Sequence, residues 1–348
     1  MEETNNNYIG YKSLIFFNVI TSIFPVVLIG FPVINKNFKN SSWFILILLA
    51  MVVFLVLLFF KGFNKNFNAI KYTQKNTLLR VLISTYLIIM ISFINISACF
   101  IIKKFFYTPN SIFLLGLINL FVSLIISNTQ TKKIITSSLI FLIIILLFYL
   151  VPFFSSSNRN YYFLLPLKID ISNLSKILLI TIIPLESILM IVFNNQTKKG
   201  IKTKHIITSA ILIIISLLLI TIDTITLLSP NFLETLSYSS FYRWNFISGN
   251  LIIQNFDILV FLILIITLIY RLSYYLKIFK IINLIKQKTT SNLIIYFVFA
   301  IIIYILYIST NHLSFFFNIL VYFLFFIIFL IFSLFSFKSM EEANEKQD

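Results

Sequence analysis

Residues 174–193 read LSKILLITIIPLESILMIVF. At about 1.5 Å of rise per residue such a run covers roughly the 30 Å of a bilayer's hydrocarbon. Lys176 stands near one end, and the middle carries Pro184 and Glu186. Proline cannot donate to the carbonyl four residues back, here Ile180, and it bends the helix. In lipid a freed carbonyl is tolerated only where protein or a water-filled cavity receives it. Glu186 lies about 18 Å into the run, near the bilayer midplane, where an ionised carboxylate costs several kcal/mol unless partnered. The stretch therefore reads as a membrane helix that breaks beside a functional acid.

The rest of the chain fits that reading. Of 348 residues, 59% are hydrophobic and 11% charged, and the mean hydropathy is +1.01. A soluble domain cannot hide so much apolar surface. Ten apolar runs are long enough to span: 13–34, 42–60, 78–102, 111–127, 134–154, 174–193, 205–228, 251–275, 291–309 and 313–337. Basic residues set their direction. Seventeen Lys and Arg fall on the side that holds both termini, and seven on the other. Both termini are therefore predicted cytoplasmic. Arg80, Lys176 and Arg271 fall inside span ends, where long basic side chains can snorkel. The formal charge of +16 belongs to this loop pattern, so nucleic acid is not an expected partner.

A second proline stands at a matching depth. Helix 1 holds Pro25, then Gly30 and Pro32, in SIFPVVLIGFP. Pro25 and Pro184 lie at nearly equal distances from the starts of their spans. If ten spans divide five and five, helix 6 is helix 1 of the second half, which must insert upside down because five is odd. The predicted fold is an all-α polytopic membrane protein of about ten transmembrane helices. It forms a single domain, a five-plus-five inverted repeat (13–154 and 174–337) with discontinuous helices 1 and 6, and a short cytoplasmic tail at 338–348. Discontinuous helices at such a crossing offer their ends to a substrate.

The freed carbonyls would be those of Thr21 and Ile180, with the hydroxyls of Thr21, Ser22, Thr181 and Ser187 close by. Around Pro25, Pro184 and Glu186 these form the candidate ligand site, to which Tyr86 on helix 3 and Asp257 on helix 8 are added. Asp257 enters helix 8 about 9 Å from its outer end, and Asp223 is comparably shallow on helix 7. Two outer loops, 155–173 and 229–250, are rich in Ser, Asn, Tyr and Phe and suit an interfacial surface or a gate. The single cysteine, Cys99, forms no internal disulfide and cannot by itself hold a zinc. Phosphate-loop, zinc-protease and nucleophile-elbow motifs are absent, so neither an enzyme nor a cofactor or metal site is expected.

The order of these features resembles the spore-germination permease family, the B subunit of GerA-type nutrient germinant receptors. That family is itself similar to the amino acid–polyamine–organocation transporters. The likeness rests on SSWFILILLAM after helix 1, FFYTP before helix 4, YFLLPL before helix 6, the acid in PLESILM, and SPNFLETLSYSSFYRWNFISGNLIIQNFD leading into helix 8. Asp257 matches the family's acid at the start of helix 8, while Asn255 replaces the Arg expected before it. The resemblance implies a receptor subunit in a spore's inner membrane, with A and C subunits as partners. A small nutrient, often an amino acid, would bind between helices 1 and 6 and trigger germination. The alternative is a secondary amino-acid transporter coupled to protons or sodium through Glu186.

Overall fold

A computed structural model describes residues 8–25, 34–35, 38–58, 68–106, 112–141, 159–165, 174–197, 199–229, 233, 256–285, 289–308, 327–328 and 331. Its helices are α1 (Tyr11–Pro25), α2 (Ser42–Leu58), α3 (Ala69–Lys75), α4 (Thr77–Phe106), α5 (Ile112–Ser127), α6 (131–141), α7 (Leu174–Leu185), α8 (Thr203–Leu227), α9 (Phe256–Ile282) and α10 (Thr289–Ile308). Short 3-10 turns occupy Lys39–Ser41 and Tyr161–Leu164, and a longer 3-10 segment runs over Glu186–Gln196.

The chain is a helical membrane protein. Among the described residues, Lys39–Leu58, Thr77–Cys99, Thr203–Leu227 and Leu262–Ile282 are each long and apolar enough to cross a bilayer, and four shorter apolar helices accompany them. Helices dominate because every backbone N–H and C=O in hydrocarbon needs a partner within the chain. Each of the first nine expected spans contains a helix. Most of 313–337 lies outside the described residues.

Local chemistry places the helix ends. Asn68 Oδ1 accepts the Lys71 amide at 3.1 Å and starts α3, a short helix that carries Lys71 and Lys75. Asn76 closes α3 and opens α4, because its Oδ1 accepts the Leu79 amide at 3.1 Å. Gly200, at φ 69°, turns the chain from the 3-10 segment into α8, a backbone conformation that costs glycine least. Inside α8 the hydroxyls of Thr221 and Thr224 bond the carbonyls four residues back, at 2.8 and 2.7 Å, which lets them lie buried.

The helices pack as two groups. In one, α1, α2, α7 with its 3-10 extension, and α8 touch one another; in the other, α4, α5, α9 and α10 do. The contact of α1 with α9 joins the groups. The continuous core runs through both and includes Phe17, Leu49, Leu87, Phe193, Leu217 and Leu272.

The expectation about the break in helix 6 changes. Helix 6 does not unwind after Pro184: α7 passes directly into the 3-10 segment at Glu186, with Leu185 still in helical conformation (φ −66°, ψ −26°). Proline removes one α-type bond, and the chain answers by tightening to i→i+3 bonds. An eleven-residue 3-10 run is long, since such helices seldom exceed three or four residues. In helix 1, α1 is described as far as Pro25, and the expected break at Gly30 and Pro32 lies outside the described residues.

Candidate functional site

Helices α1, α4, α7, α8 and α9 meet around Glu186, which is 2% exposed. Its carboxylate is fully engaged. Tyr86 Oη, from α4, donates to Oε1. On the other oxygen, Oε2, both Arg271 Nη2 and Tyr275 Oη donate, the latter at 2.6 Å. Both come from α9, where a spacing of four residues sets Arg271 and Tyr275 on one face.

Arg271 is equally satisfied and wholly buried. Nε donates to Tyr275 Oη at 2.9 Å, and Nη1 donates to Asn18 Oδ1 at 2.8 Å and Thr21 Oγ1 at 3.2 Å. The guanidinium carbon also lies 4.7 Å from the Tyr275 ring centre and 5.6 Å from that of Tyr274, within cation–π range. Tyr274 packs its ring against Phe17 and Phe193, at 5.3 and 5.6 Å between centroids. Among the described residues its buried hydroxyl has no hydrogen-bond partner.

A neutral layer lies beside the ion pair. Asn18 Nδ2 donates to Ser187 Oγ at 3.0 Å and to Ser209 Oγ at 2.9 Å, and Ser187 Oγ donates to Ser209 Oγ at 3.3 Å. These contacts tie α1 and the start of the 3-10 segment to α8.

The expected residues sort clearly. Glu186, Tyr86, Thr21 and Ser187 come together in this cluster. Ser22 turns away and bonds the Asn18 carbonyl of its own helix at 2.7 Å. Thr181 and Pro184 are buried on α7, a few residues before Glu186. The side chains of Pro25 and Asp257 lie outside the described residues. Asp257 is fourteen positions before Arg271 on α9, about 21 Å along the axis, so it belongs to another level of the membrane. Asp223 is no lone shallow acid: Arg159 from the 155–173 loop pairs with it at 2.5 Å and also donates to Thr226 Oγ1 at 3.2 Å.

Arg271 is the main correction. The expected span ended at 275, which put this arginine near the interface, free to snorkel. Helix α9 instead continues to Ile282, so Arg271 sits about two turns deeper. Lys277 and Lys280, expected in a loop, occupy the last turns of that helix. Lys277 Nζ donates to the Thr129 carbonyl at 2.8 Å; Lys280 Nζ donates to Ser127 Oγ and Asn128 Oδ1, each at 2.7 Å. Those partners are hydroxyl, amide and carbonyl groups at the end of α5, where cations suit the helix dipole. Removing both lysines from the loop tally leaves the charge bias in the same direction. Asn18, Ser209 and Tyr275 had no distinguishing pattern in sequence. The run YRLSYY at 270–275, an arginine set among aromatics, was the one available signal.

No known protein-family model matches the chain, and no curated protein matches it either.

Proposed function

We propose that this chain is the membrane subunit of a spore nutrient germinant receptor. It binds a small nutrient such as an amino acid at mid-membrane and triggers germination together with A and C subunits. The observation that carries this reading is the buried Glu186–Arg271 pair where α1, α4, α7 and α9 meet. A buried ion pair is poor as a stabilising device, because desolvation offsets most of its attraction. Its presence in so dry a place points to use.

The pair also restricts what can act on it. Protonating Glu186 alone would strand the guanidinium in a dry site. Sodium at Glu186 would add a second cation beside Arg271. A molecule with both an ammonium and a carboxylate can replace each partner for the other, so that neither charge is left bare. An amino acid has that chemistry. Parting the pair would favour one conformer over another, which is all a ligand needs to shift a receptor's state.

The two helix groups support the inverted repeat. Exchanging α1 with α7, α2 with α8, α4 with α9 and α5 with α10 maps each group onto itself. Such a scaffold also suits the alternative reading, a proton- or sodium-coupled amino-acid transporter in the cell membrane. In the receptor reading the protein lies in the spore inner membrane with both termini cytoplasmic.

The deciding experiment uses purified protein in liposomes and a labelled amino-acid panel, with wild type beside Glu186→Gln. Saturable binding without concentrative uptake, lost in variant protein that is still folded, supports the receptor. Gradient-driven accumulation makes the protein a transporter, and wild-type binding by Glu186→Gln removes the pair from the mechanism.

A further inference from the structure

We propose that Asn18 is a positioning residue that carries the state of the Glu186–Arg271 pair to α8, and so controls the cytoplasmic end of the α1–α8 seam. This rests on reading the pair as the ligand site.

Asn18 is fully buried, and its amide is used on both sides. Oδ1 accepts from Arg271, and Nδ2 donates to Ser187 and Ser209. The orientation is fixed by chemistry: arginine can only donate, so the amide oxygen must face it. A primary amide is a rigid plane. If Arg271 leaves Oδ1, the plane turns toward another partner for its oxygen, and both serine bonds lose alignment. Ser187 directly follows Glu186 in the chain, so displacement of either charge reaches the same amide.

The seam has a second contact nearer the cytoplasm. Tyr11, two turns before Asn18 on α1, stacks on His205, one turn before Ser209 on α8, with centroids 4.3 Å apart and planes 13° apart. Beside it the Ile9 amide donates to the Gln196 carbonyl at 2.8 Å, and Asn194 Oδ1 accepts the Ile201 amide at 2.6 Å. The stack closes the end of a seam whose middle is pinned through Asn18. Parting the ion pair unpins the middle, and the stacked end then opens more often.

The test needs no ligand. Hydrogen exchange is followed by mass spectrometry on the full chain in nanodiscs, over residues 8–15 and 203–210. Glu186→Gln combined with Arg271→Met removes both charges without stranding either, and should raise exchange there about tenfold, the scale of one lost buried hydrogen bond. Ser209→Ala should raise it comparably, and should add nothing further when combined with the pair variant. Ser209→Thr, which keeps the hydroxyl, should restore wild-type exchange. Wild-type exchange in the pair variant, or independent multiplying effects of the two changes, overturns the relay. Binding of the labelled amino-acid panel is measured on the same samples. Non-additive exchange in a protein that binds no amino acid keeps the relay and sinks the ligand reading; binding lost in the pair variant with unchanged exchange does the reverse.

Discussion

Arg271 and Glu186 lie 85 residues apart in the chain, and the guanidinium of one donates to the carboxylate of the other with their side chains 0% and 1% exposed. Two tyrosine hydroxyls complete the carboxylate's shell, and Asn18 and Thr21 extend the arginine's. Because each charge depends on the other, the two respond to mutation as a unit.

Glu186→Gln by itself should therefore destabilise the fold by about 3–5 kcal/mol, since it leaves Arg271 buried without a counter-charge. Adding Arg271→Met should recover most of that loss. Thermal unfolding reports this through Cys99, the single cysteine of the chain, which is buried and reacts with a maleimide dye only once the structure opens. A double variant no more stable than the single one would mean that the two charges are not energetically coupled.

The three tyrosines around the pair should separate cleanly. Tyr86→Phe and Tyr275→Phe each delete a bond to an ionised group, and should each cost about 1.5–3 kcal/mol. Tyr274→Phe removes a hydroxyl that is buried without a partner among the described residues, so it should be neutral or stabilise by about 1 kcal/mol. The same unfolding assay ranks them. A large cost at Tyr274 would show that its hydroxyl has a partner in the membrane.

Arg159 and Asp223 hold the 159–165 segment against the end of α8. The Asn160 amide donates to the Thr226 carbonyl at 2.9 Å, and Trp43 Nε1 donates to the Leu164 carbonyl at 3.4 Å. A double-mutant cycle with Arg159→Gln and Asp223→Asn should give a coupling energy of about 1–3 kcal/mol in thermal unfolding. Additive effects would make the pair incidental to the strap.

Pro184→Ala returns a donor to the Ile180 carbonyl and allows α geometry to run past Leu185. Each residue that changes from 3-10 to α pitch turns by about 20°, which swings Glu186 away from Tyr86 and Arg271. Affinity for an amino acid that binds wild type should fall about tenfold, or about 1.4 kcal/mol. Unchanged affinity would show that the 3-10 segment is held by its packing and not by the proline.

Part of the site was legible along the chain. Hydropathy located apolar runs that the structure builds as helices, and the proline–acid pair in 174–193 singled out Glu186. Tyr86 and Thr21 were also named as contacts. Arg271 was misplaced by its span boundary: Lys277 and Lys280 resembled loop residues, and nothing local revealed that the end of α5 would receive them. Asn18 lies in the apolar run LIFFNVITSIF, where nothing local set it apart.

Composition and the lengths of its apolar runs by themselves made this a helical membrane protein, since hydrocarbon permits few other structures for such a chain. Which face of each helix turns inward is a rotation about its axis, and it depends on neighbours that are remote in sequence. Packing of α1, α4, α7 and α9 made that choice. It turned one arginine from an interfacial anchor into the partner of Glu186, and one asparagine into the link from that pair to α8.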